Sequence, residues 1–168
     1  MNLTSKIYSY IKITRPINVI ITFSVVVVAI LISQTESTDF YVILFASIAA
    51  ALVTAAGNIV NDIFDIDTDK ISHQDRVLVL GKISKKESWI EYLLLNGISF
   101  IISVSLSIKL MLIALTTIIL LYIYSSTLKK LPLIGNLTIA FLTGLAFIYG
   151  GLAVGNPMSA IVPAVFAF

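Results

Sequence analysis

"FYVILFASIAAALVTAAGNIVNDIFDIDTDK", Phe40 to Lys70, carries no charged side chain before Asp62 and then places four aspartates within eight residues. As a helix, 40–60 is about 31 Å long, the thickness of a bilayer's hydrocarbon core. Runs of valine and isoleucine elsewhere in the chain suggest strands, but runs of this length favour helix. The stretch is read as a membrane span with its charge gathered at one end. That arrangement needs a reason, because burying unpaired charge is costly.

Four further apolar stretches, at 16–32, 89–108, 110–127 and 133–154, approach or reach the ~20 residues that cross a bilayer. The whole chain is 58% hydrophobic and 12% charged, with mean hydropathy +1.03, where soluble domains carry about 25% charged residues. The expected fold is an all-α, polytopic transmembrane helical bundle of five complete helices plus the start of a sixth. One transmembrane domain is expected over 1–168, since no repeat, low-complexity tract or flexible linker divides it. With no cysteine, disulfides, thiolate nucleophiles and Cys-based metal sites are excluded. The first apolar run ends in Ser33-Gln34-Thr35-Glu36 without a small-residue cleavage pattern, so it reads as a retained helix.

Local signals support these boundaries. Pro16 suits the first turn of a helix. Ser84-Lys-Lys-Glu87 is a capping box that starts the third span near Ser84. Ala49–Ala51, Ala55, Ala56 and Gly57 allow close helix packing. The run from Met158 to Phe168 would be about 16 Å long as a helix, roughly half a span. It is read as an interrupted sixth helix, and the expectation is an N-terminal part of a longer protein.

Basic residues set the expected orientation. Lys6, Lys12, Arg15, Lys70, Arg76, Lys82, Lys85, Lys86, Lys129 and Lys130 share one side if the spans alternate, and only Lys109 falls opposite. The positive-inside rule then places the N-terminus and the aspartates in the cytoplasm of a multi-pass cell-membrane protein. Ser33–Asp39 and Gly155–Ser159 face outward.

If the second span continues helically past Val60, each residue advances ~100°. Asn58, Asp62, Asp65 and Asp69 then fall within roughly 60° of one another, with Asn61 beside them and Asp67 nearly opposite. Three carboxylates and an amide on one face, at a membrane boundary, form an oxygen-rich set suited to Mg²⁺. That ion keeps waters and bridges to phosphates. A solvated helix end paired with Lys70, Arg76 and Lys82 is the plainer alternative. The shared face argues against it, as does the general rule that ionisable groups near membrane interiors are functional. A calcium loop fits less well: Lys70 holds its glycine position and Arg76 its bidentate glutamate position.

Asn61-Asp62-Ile-Phe-Asp65-Ile-Asp-Thr-Asp69 resembles the NDxxDxxxD signature of the UbiA superfamily of intramembrane prenyltransferases. Arg15-Pro16-x-Asn18, Arg76, Gly81, "YSSTLKKLPLIGN" (Tyr124 to Asn136) and Gly150-Gly151 are similar too. Asn58 in "GNIVND" and the "LKKLPLIGN" segment look most like the archaeal branch that makes digeranylgeranylglyceryl phosphate. There are two departures. The loop reads Arg76-Val77-Leu78-Val79-Leu80-Gly81, without the family's proline and serine, and the second aspartate motif, which lies between later helices of a nine-helix fold, does not occur in these residues.

The resemblance implies Mg²⁺-dependent transfer of a geranylgeranyl group from an allylic diphosphate to a membrane-lipid acceptor, geranylgeranylglyceryl phosphate. An aromatic acceptor of quinone synthesis is the runner-up. Asp62, Asp65 and Asp69 would be the metal ligands and catalytic groups. Asn58 or Asn61 would support them, and Arg76 and, less directly, Lys70, Lys129 and Lys130 would hold phosphate oxygens. Each lysine alternatively serves only as a topology-setting interfacial charge. Asn58, Asn61 and Asn18 would contact substrate. No nucleic-acid partner is implied. Tyr122 and Tyr124 read as interface anchors and His73 as a solvated loop residue; Asn18 and Asn96 either line a cavity or bond between helices. Two other classes compete. A cation transporter would need polar groups along the span, where Ser47 and Thr54 alone stand above Asn58. A non-catalytic subunit is the third class.

Overall fold

Pro16 sits at the first position of its helix, where its fixed φ suits the turn and its missing N–H is not needed. The computed structural model describes residues 2–35 and 38–168. It contains helices α1 (Leu3–Ile13), α2 (Pro16–Ser33), α3 (Phe40–Ser72), α4 (Lys85–Leu106), α5 (Ile108–Ser126), α6 (Pro132–Ala153) and α7 (Ile161–Ala167), with 3-10 turns at Leu128–Lys130 and Pro157–Ala160. No strand occurs among the described residues. Helices α2 to α6 are each long and apolar enough to cross a membrane, making this a multi-pass membrane protein. Of the expected outer connection 33–39, Glu36 and Ser37 lie outside the described residues.

Helix α3 is central and packs against α2, α4, α5 and α6, while α2 also lies along α6. A seam of small polar residues on α4 permits close approach to α3. Ser88, Tyr92, Asn96, Ser99 and Ser103 are buried, and Ser99 Oγ donates to the Ala49 carbonyl at 2.8 Å. Asn96 is buried on that seam, and its amide has no hydrogen-bond partner among the described residues. The outward faces stay apolar, as at Ile90, Leu94 and Ile101 of α4. Lipid, rather than water, is the solvent those faces suit.

Two boundaries differ from the sequence expectation, and one, the continuation of the second span past Val60, meets the condition set for the shared face. Helix α1 precedes the first span; Asn2 caps it by accepting from Ser5 N at 2.9 Å. Helix α3 runs unbroken for 33 residues, about 50 Å, because no glycine or proline interrupts it after Gly57. It therefore carries the aspartates past the span as one rigid rod. The break between α4 and α5 falls at Ser107 rather than beyond Ile108. Its extended backbone ends one helix, and its hydroxyl caps the next by accepting from Lys109 N at 3.2 Å. The capping box at Ser84 is present in full.

After α6 the chain turns at Gly155, whose φ of 73° suits glycine. Asn156 Nδ2 donates to the Ser33 carbonyl at 2.9 Å, tying this turn to the end of α2. The run 158–168 forms a 3-10 turn and then α7, which folds back on α6. The approach is close: a Cβ on Gly144 would lie 2.8 Å from the Ala164 carbonyl oxygen.

Candidate active site

Arg15 joins α1 to α2 in a left-handed conformation, φ 53° and ψ 74°. For a residue with a Cβ this costs on the order of 1–2 kcal/mol. The turn aims the guanidinium at α3, where Nη2 meets Asp62 Oδ1 at 2.5 Å. Arg76 Nη1 contacts the same oxygen and lies 3.9 Å from Asp69 Oδ2. Asp62 and Asp69 are only 3% and 4% exposed, so their charge is balanced by guanidinium groups rather than by water.

Arg76 is held by its own loop. Val77, Leu78 and Ile83 are buried against Ile59 and Ile63 of α3, and Gly81 turns the chain with φ 62°. Apolar anchoring thus supplies a fixed seat in a loop that lacks the expected proline and serine.

Asp65 is served from the opposite side. Lys129 Nζ, in the 3-10 turn after α5, stands 2.6 Å from Asp65 Oδ1 and donates to Asn61 Oδ1 at 3.3 Å. Asn61 Nδ2 in turn donates to Asp65 Oδ2 at 2.9 Å. Asn58 Nδ2 donates to the Thr14 carbonyl at 2.8 Å, fixing the end of α1 over this face.

Asp67 points away as the 100° spacing predicts. It pairs with Lys70 at 2.8 Å on the exposed side. The structure therefore does not bring Lys70 to the other candidates, because three residues along a helix from Asp67 it shares that outer face. Arg15 takes the place that sequence reasoning offered to Lys70. Its only sequence signals were its position before Pro16 and the resembling tetrapeptide.

Beside this charged group lies a cavity of about 520 Å³ between α2, α3, α5 and α6. Arg15, Asn18, Asn58 and Asn61 line its polar end; Val25, Ala50, Ile113 and Tyr149 are among its other walls. Part-way along, Thr54 Oγ1 donates to Thr22 Oγ1 at 3.0 Å. Tyr124 also lines the cavity. Tyr122 instead packs edge-on against Phe64, their ring centroids 5.6 Å apart. The aspartates do not line the wall themselves; their partners Arg15 and Asn61 do.

Among the described residues, no three Asp, Glu or His side chains converge on one point as a closed metal cage would require. The donors nonetheless suit magnesium in kind. They are carboxylate and amide oxygens on one face, and Mg²⁺ commonly takes only one or two carboxylates and completes its shell with water or phosphate.

A family model described as the UbiA prenyltransferase family matches residues 22–168. The digeranylgeranylglyceryl phosphate synthase of Methanothermobacter thermautotrophicus is 35% identical over 159 residues, covering 95% of this chain and 56% of that one. The synthase of the same name from Methanobrevibacter smithii is 40% identical over 149 residues, covering 84% and 51%. A solved digeranylgeranylglyceryl phosphate synthase superposes with a TM-score of 0.88 at 32% identity, covering 96% of this chain and 57% of that one. A UbiA homologue from Archaeoglobus fulgidus, bound to DMAPP and Mg²⁺, shares the fold at TM-score 0.73 and 21% identity, covering 94% and 61%. The chain spans about half the length of the curated relatives it matches.

Proposed function

The chain belongs to the UbiA prenyltransferase family, and from that premise we propose that it acts in transferring a geranylgeranyl group from its allylic diphosphate to the free hydroxyl of geranylgeranylglyceryl phosphate. The observation that carries this reading is the pairing of Arg15, Arg76 and Lys129 with Asp62 and Asp65, a charged group that reaches the polar end of an apolar cavity through Arg15 and Asn61. Such a site accepts a ligand with an anionic head and a hydrocarbon tail. The synthases named above support the choice of product.

In this mechanism Asp62, Asp65 and Asp69 would hold Mg²⁺, directly or through water, and the ion would supply positive charge to offset the negative charge of the diphosphate leaving group. Arg15, Arg76 and Lys129 donate to phosphate oxygens through charge-assisted hydrogen bonds. Asn61 orients Asp65, and Asn58 keeps the end of α1 in register with α3. Asn18 borders the head of the donor, while the apolar walls hold its tail and keep water from the allylic carbon. The test is an assay of the complete protein in lipid bilayers with geranylgeranyl diphosphate and either geranylgeranylglyceryl phosphate or an aromatic acid as acceptor. Product from the glyceryl phosphate supports the assignment. Transfer only to the aromatic ring overturns the acceptor, and no transfer to either overturns the activity.

The site faces the cytoplasm in this reading, since ten of the eleven basic residues lie on its side of the spans. Asp39 and Ser72 stand just before and at the end of α3. In intact cells, Asp39→Cys is expected to react with an impermeant thiol reagent and Ser72→Cys to be protected. The reverse pattern inverts the topology.

A further inference from the structure

Helix α1 has three faces at ~100° per residue. Ser9 and Ile13 are buried against the bundle, and on the same side Lys6 Nζ meets Glu87 Oε1 at 2.5 Å while the Tyr10 hydroxyl donates to that oxygen at 3.2 Å. Leu3, Ile7 and Ile11 form a second, apolar stripe that no part of the described structure covers; they are 75%, 50% and 53% exposed. Ser5 and Lys12 make up a third, polar face, from which Lys12 Nζ reaches the Asp75 carbonyl at 3.5 Å.

The surroundings of the two exposed faces differ. On the wheel the apolar stripe borders Tyr10, which shares a shallow groove with Glu87, Ile90, Glu91 and Leu94 at the start of α4. Of these, Ile90 and Leu94 are 49% and 60% exposed on a membrane-spanning helix, so they face lipid, while the two glutamates mark the headgroup level. The polar face borders Ser9 and looks toward the loop 73–84, which carries Asp75 and Lys82. One flank of α1 is therefore continuous with the lipid-facing surface and the other with the charged loop. An amphipathic helix so placed lies along the membrane plane with its apolar side sunk into the headgroup boundary.

We infer that α1 is an interfacial helix whose Leu3–Ile7–Ile11 stripe is immersed in the bilayer beside the start of α4. Its occupant is the lipid itself, not a protein partner. The inference rests on the spans and the anchor to Glu87, and is independent of the activity proposed above.

These 168 residues contain no cysteine, so within them each introduced cysteine is a single site for a nitroxide label. Leu3→Cys, Ile7→Cys, Ile11→Cys, Ser5→Cys and Lys12→Cys are each labelled in the complete protein in phosphatidylcholine–phosphatidylglycerol nanodiscs. Collision with oxygen, which concentrates in lipid, is compared with collision with a water-soluble nickel chelate. The oxygen-to-nickel ratio at 3, 7 and 11 is expected to exceed that at 5 and 12 by on the order of fivefold or more. Equal ratios at all five positions place the helix in water and overturn the inference. Low collision with both reagents at 3, 7 and 11 shows a protein cover instead and overturns it equally. If one stripe variant fails to fold, the other two report on the same face.

Discussion

Replacing Asp62, Asp65 or Asp69 by asparagine is expected to lower turnover of the complete protein by on the order of a hundredfold or more, the scale of losing an electrostatic catalytic group. Asparagine keeps the volume but removes the charge that attracts a divalent ion and balances Arg15, Arg76 and Lys129. Asp67→Asn is the internal control. It lies on the same helix and in the same sequence motif, yet its carboxylate is exposed and, among the described residues, pairs with Lys70 alone, so turnover should change little. Asp62→Asn also leaves two guanidinium groups facing a neutral amide. Breaking a fully buried pair costs about 3–5 kcal/mol. Arg15 and Arg76 keep 33% and 25% exposure, so solvent screening makes the loss smaller here. Thermal unfolding of each variant separates that loss from lost chemistry. Equal damage from all four substitutions, or activity that persists when magnesium is chelated, defeats the shared-face site.

The second large effect is expected at Gly150, where α6 crosses α2. A Cβ there would stand 2.5 Å from Ala29 Cβ, 3.1 Å from the Val26 carbonyl oxygen and 3.2 Å from Ile30 N. All three neighbours belong to fully buried residues, and two of the contacts are backbone, so the helices must part. Gly150→Ala should destabilise the protein by about 1–3 kcal/mol, as overpacking does. Shifting this crossing also displaces Val25 and Tyr149 in the cavity wall, so substrate binding should weaken along with stability. Gly97→Ala on α4 provides the contrast: nothing lies within 4 Å of its added Cβ. Alanine is the better helix former by up to about 1 kcal/mol, so that variant should be neutral or stabilised. Unfolding midpoints in detergent compare the two directly. Equal midpoints for both would show that the α2–α6 crossing is not tight.

What could be read from the residues in order was what depends on local chemistry. An uncharged run of about twenty residues spans a bilayer whatever surrounds it, so five spans were legible. Helical periodicity alone sets Asn58, Asp62, Asp65 and Asp69 on one face and turns Asp67 away. Ser84 and Glu87 cap a helix through contacts only three residues long. Of the partners of the carboxylates, Arg76 and Lys70 lie close in sequence and were legible as candidates; the distant ones were not. Arg15 is 47 residues from Asp62 in sequence, and Lys129 is 68 from Asn61. Only the packing of α2 and α5 around α3 selects these bases over the nearer Lys70, whose helical register commits it to the outer face. The intimacy of Gly150 with Ala29 was equally hidden, since a glycine does not announce which backbone approaches it. Helix α1 escaped notice because eleven residues are too few to form a stable helix on propensity alone. Its Glu87 anchor and the burial of Ser9 and Ile13 supply what the isolated segment lacks.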